Sequence, residues 1–187
     1  MWICFFSQTG SEICNIVEKT GIEPDVIISD NFKTFDNRIL DISKKCFFLN
    51  YKNLSTREEK LKYYNLPILD PNAIITLHGW LNIVPKEICE KYTIYNGHPG
   101  LITEYPELKG KDPQKRTWEN LNNYPKIGSV IHQVTAGVDE GPVIMSNSVS
   151  SENCKSEGDV FATLKQVSLN LWVDFLERKP YTLLYDF

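Results

Sequence analysis

Trp2-Ile3-Cys4-Phe5-Phe6 is followed by Ser7-Gln8-Thr9-Gly10 and then by Ser11-Glu12-Ile13-Cys14-Asn15-Ile16-Val17. Five apolar residues without a polar partner read as a strand covered on both faces. The polar break ends it, and Ser11 is placed to cap a helix whose apolar face is Ile13, Ile16 and Val17, with Gly21 as its stop. The same alternation continues outward. Val26-Ile27-Ile28, residues 46–49 and residues 73–77 are short apolar runs. Thr56 is positioned to cap a helix over residues 57–64, with Glu58 and Glu59 in its first turn. Residues 85–91 read as a short helix with proline at its first position, and residues 93–95 as a strand.

Short strands alternating with helices predict a parallel sheet. The second half changes character. Residues 101–124 are rich in Pro, Gly, Lys and Glu, with weak periodicity apart from a short helix over 115–121. Residues 129–134 and 143–147 read as two strands joined by a glycine-containing loop, which suits antiparallel pairing. Residues 158–176 carry the longest helical pattern, with Phe161, Leu164, Val167, Leu171 and Phe175 on one stripe. The expected fold is therefore α/β: a Rossmann-like, mostly parallel sheet with helices on both faces and antiparallel strands near the C-terminal half. Ligands of such sheets gather beyond the carboxyl ends of the strands. Ser7 and Asn96, each directly after an expected strand, fall at that rim.

The chain has 187 residues, 42% hydrophobic and 24% charged, with a net charge of −4. That suffices for one domain over residues 1–187 and is short for two. The negative balance disfavours a general nucleic-acid surface, so no nucleic-acid partner is expected. No apolar run approaches the roughly 20 residues of a membrane span. The apolar start lacks a basic leader and a small-residue cleavage site, and reads as a buried strand rather than a signal peptide. Five cysteines, an odd number without CxxC spacing, argue against a disulfide framework and a zinc site. They fit core residues in a reducing, cytoplasmic setting.

Chemistry concentrates at Asn96-Gly97-His98-Pro99 and Val138-Asp139-Glu140-Gly141-Pro142. Asn96 and His98 are two apart and face one side of an extended segment. His98 precedes proline, which favours an extended, exposed imidazole. Asp139 near His98 would orient the ring and raise its affinity for a proton. A carboxamide beside a protonated imidazole is a good oxyanion site. Asn96, His98 and Asp139 are therefore the catalytic candidates. His132 reads as a core or edge histidine with an accessory role open, and His78 as structural or loop-lining. Ser7, Gln8, Thr9, Gly10 and Ser11 form a strand-to-helix turn whose N–H groups suit a phosphate, although it matches neither the P-loop nor the dinucleotide fingerprint. Lys109 and Lys111 are candidate substrate contacts or a solvated face. Gly79, Trp80, Leu81, Asn82, Ile83 and Val84 form an apolar loop fit to line a pocket for a flat ring, or to be buried under a helix.

Together these segments, chiefly residues 73–145, resemble the formyltetrahydrofolate-dependent formyltransferase family. The resemblance places Asn96, His98 and Asp139 on the family's catalytic triad and His132 on its strand histidine. It places residues 79–84 on the loop enclosing the pterin, and Thr135, Ala136, Gly137, Val138 and Glu140 on a second folate-contacting loop. It implies formyltetrahydrofolate as co-substrate, no metal, and transfer to a primary amine of a small phosphorylated acceptor, either glycinamide ribonucleotide-like or an amino-sugar nucleotide. A hydrolase releasing formate, or a non-catalytic folate- or nucleotide-binding protein, is the alternative, and a homodimer is compatible with either. The chain is closest in size to the glycinamide ribonucleotide enzymes. It departs from them at Gly10-Ser11-Glu12, where they commonly show Gly-Ser-Asn. A glutamate there weakens phosphate binding unless it points away.

Overall fold

The computed structural model describes residues 1–43, 45–65 and 69–178. In chain order the elements are β1 (Trp2–Phe6), α1 (Ser11–Thr20), β2 (Val26–Ser29), β3 (Cys46–Phe48), α2 (Arg57–Tyr64), β4 (Ile74–Leu77), α3 (Lys86–Lys91), β5 (Ile94–His98), α4 (Pro113–Glu119), β6 (Lys126–Gln133), β7 (Val143–Ser150) and α5 (Glu157–Arg178). The strands form one sheet in the order β3-β2-β1-β4-β5-β6-β7. Strands β1 to β5 pair in parallel, and β6 and β7 add antiparallel. The mostly parallel α/β sheet with an antiparallel C-terminal pair is the one the sequence indicates.

Strand β1 lies between β2 and β4, and its alternate residues feed two cores. Ile3 and Phe5 join Tyr63, Tyr64 and Ile88 from α2 and α3 on one face. Trp2, Cys4 and Phe6 join Ile13, Ile16 and Val17 of α1 and Trp172 and Phe175 of α5 on the other. Covering on both faces is why β1 contains no polar residue. A third cluster packs Leu101, Ile102, Leu108 and Tyr124 against β6 and the start of α5, at Val160 and Leu164. This gives the weakly periodic segment a fixed seat. Among the described residues no helix is long and apolar enough to cross a membrane.

Several boundaries differ from the local reading. Gly10, not Ser11, is the N-cap of α1, with φ 71°, and no side chain caps it. A side chain at Gly10 would meet Ile39 and Phe6 as well as a left-handed backbone. Pro85 sits just before α3 as its cap residue, and α4 starts at Pro113 rather than at 115. Strand β5 runs on through His98 because β6 pairs with residues 95–98. That partner lies some thirty-five residues away and leaves no local trace. On α5, Val160 takes the buried place assigned to Phe161, which is 42% exposed. In the β6–β7 ladder, Ile131 faces Met145 and His132 faces Val143, so Ile144 is an extra residue in β7.

Gly97 of β5 fixes the seat of α5. A Cβ there would lie 2.6 Å from Nε1 and 3.0 Å from Cε2 of Trp172, which is fully buried. Gly97→Ala should cost about 1–3 kcal/mol through overpacking. It would appear as a lower denaturant midpoint at unchanged slope.

Candidate active site

The sheet reverses its winding between β1 and β4, and a cleft of about 870 Å³ opens beyond the carboxyl ends of the strands there. Its walls come from the turn after β1, the loop after β4, the end of β5, residues 110–114, the β6–β7 loop and the first turns of α5. The volume lies in the range of small-molecule sites.

Register builds the reactive edge. Asn96 of β5 lies opposite His132 of β6, so both side chains share a face, while Gly97 turns toward α5. Asp139 reaches the same spot from the β6–β7 loop with φ 53°, a left-handed conformation that aspartate tolerates better than most residues. One oxygen, Oδ2, accepts from the Gly110 N–H at 2.8 Å and lies 3.2 Å from His98 Nδ1. The other, Oδ1, lies 3.3 Å from His132 Nε2. Only 11% of the Asp139 side chain is exposed. Burial opposes its ionisation, but hydrogen bonding from His132 and His98, the charge of His98 and the Gly110 N–H outweigh it. They hold the carboxyl far below the usual carboxylate range.

His98 is extended, as its place before proline implies, but it is buried rather than exposed. The 3₁₀ turn Pro106–Leu108 folds over it, and His98 Nε2 donates to the Leu108 carbonyl at 2.9 Å. Its two nitrogens thus face a carbonyl and a carboxylate, and the doubly protonated ring satisfies both. His132 Nδ1 donates to the Gln133 carbonyl at 3.1 Å, leaving Nε2 to face Asp139 and, at 3.2 Å, the Asn96 amide. With Nε2 bare, Asn96 donates to it. With Nε2 protonated, that proton turns to Asp139 and the Asn96 N–H groups are released toward the cleft.

The apolar wall is arranged by buried anchors. Trp80 is buried and its Nε1 donates to the Tyr64 hydroxyl at 3.0 Å. Asn82 Nδ2 donates to Asp30 at 2.8 Å. Ser7 is also buried, and its Oγ accepts from the Leu81 N–H at 3.1 Å. Leu81 and Ile83, at 67% and 69% exposed, are left at the mouth, with Val138 and Phe161 also exposed there. All of residues 79–84 and 135–139 line the cleft, as do Gln8, Thr9, Gly10, Ser11 and Lys111. Ser7, Lys109 and Glu140 are not among the lining residues.

Local reading placed Phe161 on the core stripe of α5 and passed over Ala162, Lys165 and Ser168, all of which line the cleft. Phe161, Lys165 and Ser168 repeat at helical spacing one step beside the core stripe, so they share the face of α5 that borders the cleft. His78 is a cleft residue too, with a fully buried side chain. Its Nδ1 donates to Glu12 Oε2 at 2.9 Å, and its Nε2 lies 2.9 Å from Thr76 Oγ1, which accepts from Trp2 Nε1. Glu12 Oε1 accepts from the Ser168 hydroxyl at 2.7 Å. Burial opposes ionisation of Glu12, but the bonds from His78 and Ser168, the charge of His78 and that of Lys165 lower its pKa.

A family model described as "Formyl transferase" matches residues 26–176. Among curated proteins, methionyl-tRNA formyltransferase of Fervidobacterium nodosum is 23% identical over 143 residues, covering 67% of this chain and 44% of its own length. That of Clostridium novyi is 27% identical over 130 residues, covering 68% and 40%. The chain spans less than half the length of these two relatives. Among solved structures, phosphoribosylglycinamide formyltransferase from Campylobacter jejuni superposes with a TM-score of 0.81 at 20% identity, covering 94% of this chain and 95% of its own. The Bacillus halodurans enzyme gives 0.75 at 22%, covering 98% of both. At that identity the superpositions speak to the fold.

Proposed function

Since the chain belongs to the formyl transferase family, we propose that it moves the formyl group of formyltetrahydrofolate to a primary amine of a small acceptor. The carrying observation is the meeting of Asn96, His98, His132 and Asp139 at one edge of a cleft with an apolar lip. The exposed Leu81, Ile83 and Val138 suit the flat pterin of the donor, and polar groups of the cleft-lining residues 79–84 and 135–138 suit its polar edge.

In this reading the acceptor nitrogen attacks the formyl carbon, and a carbon–nitrogen bond forms. Negative charge develops on the formyl oxygen. The Asn96 N–H groups bind that oxygen, and His98, fixed between Leu108 and Asp139, holds a positive charge beside it. Asp139 holds the His98 ring in place at 3.2 Å and, through water, passes the ammonium proton to the departing folate nitrogen as its bond to carbon breaks.

Lys111 and Lys165 at the cleft support an acceptor with anionic groups at its outer end, such as an amino-sugar nucleotide. The named relatives act on methionyl-tRNA, so an aminoacylated tRNA is the competing acceptor. The test supplies formyltetrahydrofolate with glycinamide ribonucleotide, an amino-sugar nucleotide or methionyl-tRNA, and follows tetrahydrofolate and acceptor mass. The expected result is one formyl group gained per tetrahydrofolate formed. Formate release at full rate without any amine would instead assign a hydrolase, and binding of the folate without turnover a carrier.

A further inference from the structure

We infer that Glu12, braced by Ser168, reads the acceptor: it takes hydroxyl groups of a sugar or polyol and turns away a phosphate. This names the acceptor class for the transfer proposed above and rests on that reading. Glu12 is the second residue of α1, whose N-terminus opens on the cleft. Its carboxylate is gripped from two directions, by Ser168 of α5 at 2.7 Å and by His78 beyond β4 at 2.9 Å. His78 is itself set against Thr76. The carboxylate therefore does not swing away from the cleft. Its side chain stays 27% exposed. A carboxylate has about four lone-pair positions, so two remain for donors on a ligand.

The same geometry works against an anion. The N-terminus of a helix ordinarily receives phosphate through free N–H groups and a positive dipole end. Here the protein's own anion stands in the first turn, and the Ser11 N–H is taken by Thr9 Oγ1 at 3.3 Å. Lys165, one turn before Ser168 on α5, is a nearby cation whose charge Glu12 answers. A phosphate seated against α1 would face a fixed negative charge. Neighbouring hydroxyls, as donors, would complete the carboxylate's bonding.

The test uses a matched pair, glycinamide ribonucleoside and glycinamide ribonucleotide, titrated by calorimetry into the full chain, with transfer measured alongside. Wild type should bind the ribonucleoside at least tenfold more tightly than the ribonucleotide. Glu12→Gln should shrink that preference at least tenfold while moving the folate KM less than twofold. Ser168→Ala, which keeps the buried carboxylate, should weaken the ribonucleoside several-fold and serves if the glutamine variant does not fold. A wild-type preference for the ribonucleotide, an unmoved ratio in folded Glu12→Gln, unchanged ribonucleoside binding in Ser168→Ala, or failure of both compounds to bind would each overturn the inference. Binding in the expected order without formyl transfer would count against the transfer alone and leave the reading of Glu12 standing.

Discussion

Asp139→Asn lowers kcat for formyl transfer by about 10³-fold, within the 10²–10⁴ range of a lost positioned proton-transfer group. The substitution keeps the volume and the left-handed turn, which asparagine also adopts. It removes the charge that His98 and His132 share at 3.2 and 3.3 Å. An amide presents one oxygen in place of two, so one of the two rings loses its acceptor. The positive charge beside the formyl oxygen is then unsupported, and the path for the ammonium proton is cut. Folate KM should stay within a few-fold, because the apolar lip at Leu81 and Ile83 is untouched. Tetrahydrofolate formation against time, with folate binding measured separately, checks both halves. A rate within tenfold of wild type would remove Asp139 from the chemistry.

The same carboxylate has a signature in stability. Its native pKa is lowered, so its contribution is complete above the ordinary carboxylate value of about 3.9. It is lost as pH falls through the native value. The difference in unfolding free energy between wild type and Asp139→Asn should therefore narrow in acid. Denaturant midpoints of the two proteins at neutral pH and near pH 3 give that comparison.

Asn96→Ala is the second large effect, a loss of about 10²–10³ in kcat, the usual consequence of deleting one oxyanion donor. The methyl leaves β5 pairing with β6 intact, because the backbone carries that ladder. It deletes the N–H groups that His132 Nε2 engages at 3.2 Å. Since the bond to the oxygen strengthens as charge develops, kcat should fall with little change in the KM of either substrate. A variant in which KM rises while kcat holds would mark Asn96 as a binding residue only. Single-turnover rates at saturating folate separate the two outcomes.

The parallel half of the sheet was legible because its signals are local. Apolar runs doubly covered by helices, a Thr56 cap completed by Glu59, and glycine stops all lie within a few residues of what they control. Asn96, His98 and Asp139 were legible as residue types flanked by glycine and proline. What was hidden is pairing at a distance. His132 gains its meaning from standing opposite Asn96, thirty-six residues away, and nothing in its own strand announces the register. His98 is buried by residues 106–108, a stretch without periodicity whose seat comes from packing against Tyr124 and Val160. Glu12, His78 and Ser168 meet across separations of 66 and 156 residues. Each alone resembles an ordinary helix or strand-end residue.

The supernumerary Ile144 bears on how this chain tolerates change. Excising it would leave His132 opposite Val143 and Ile131 opposite Met145, but it would remove the bend and added twist that a bulge gives its strand. The turn that carries Asp139 would then be re-aimed, and contacts of 2.8 to 3.3 Å leave little room for that. A descendant could thus gain a more regular sheet, melt higher and fall silent, so thermal robustness would be a misleading guide when choosing among shortened forms of this hairpin.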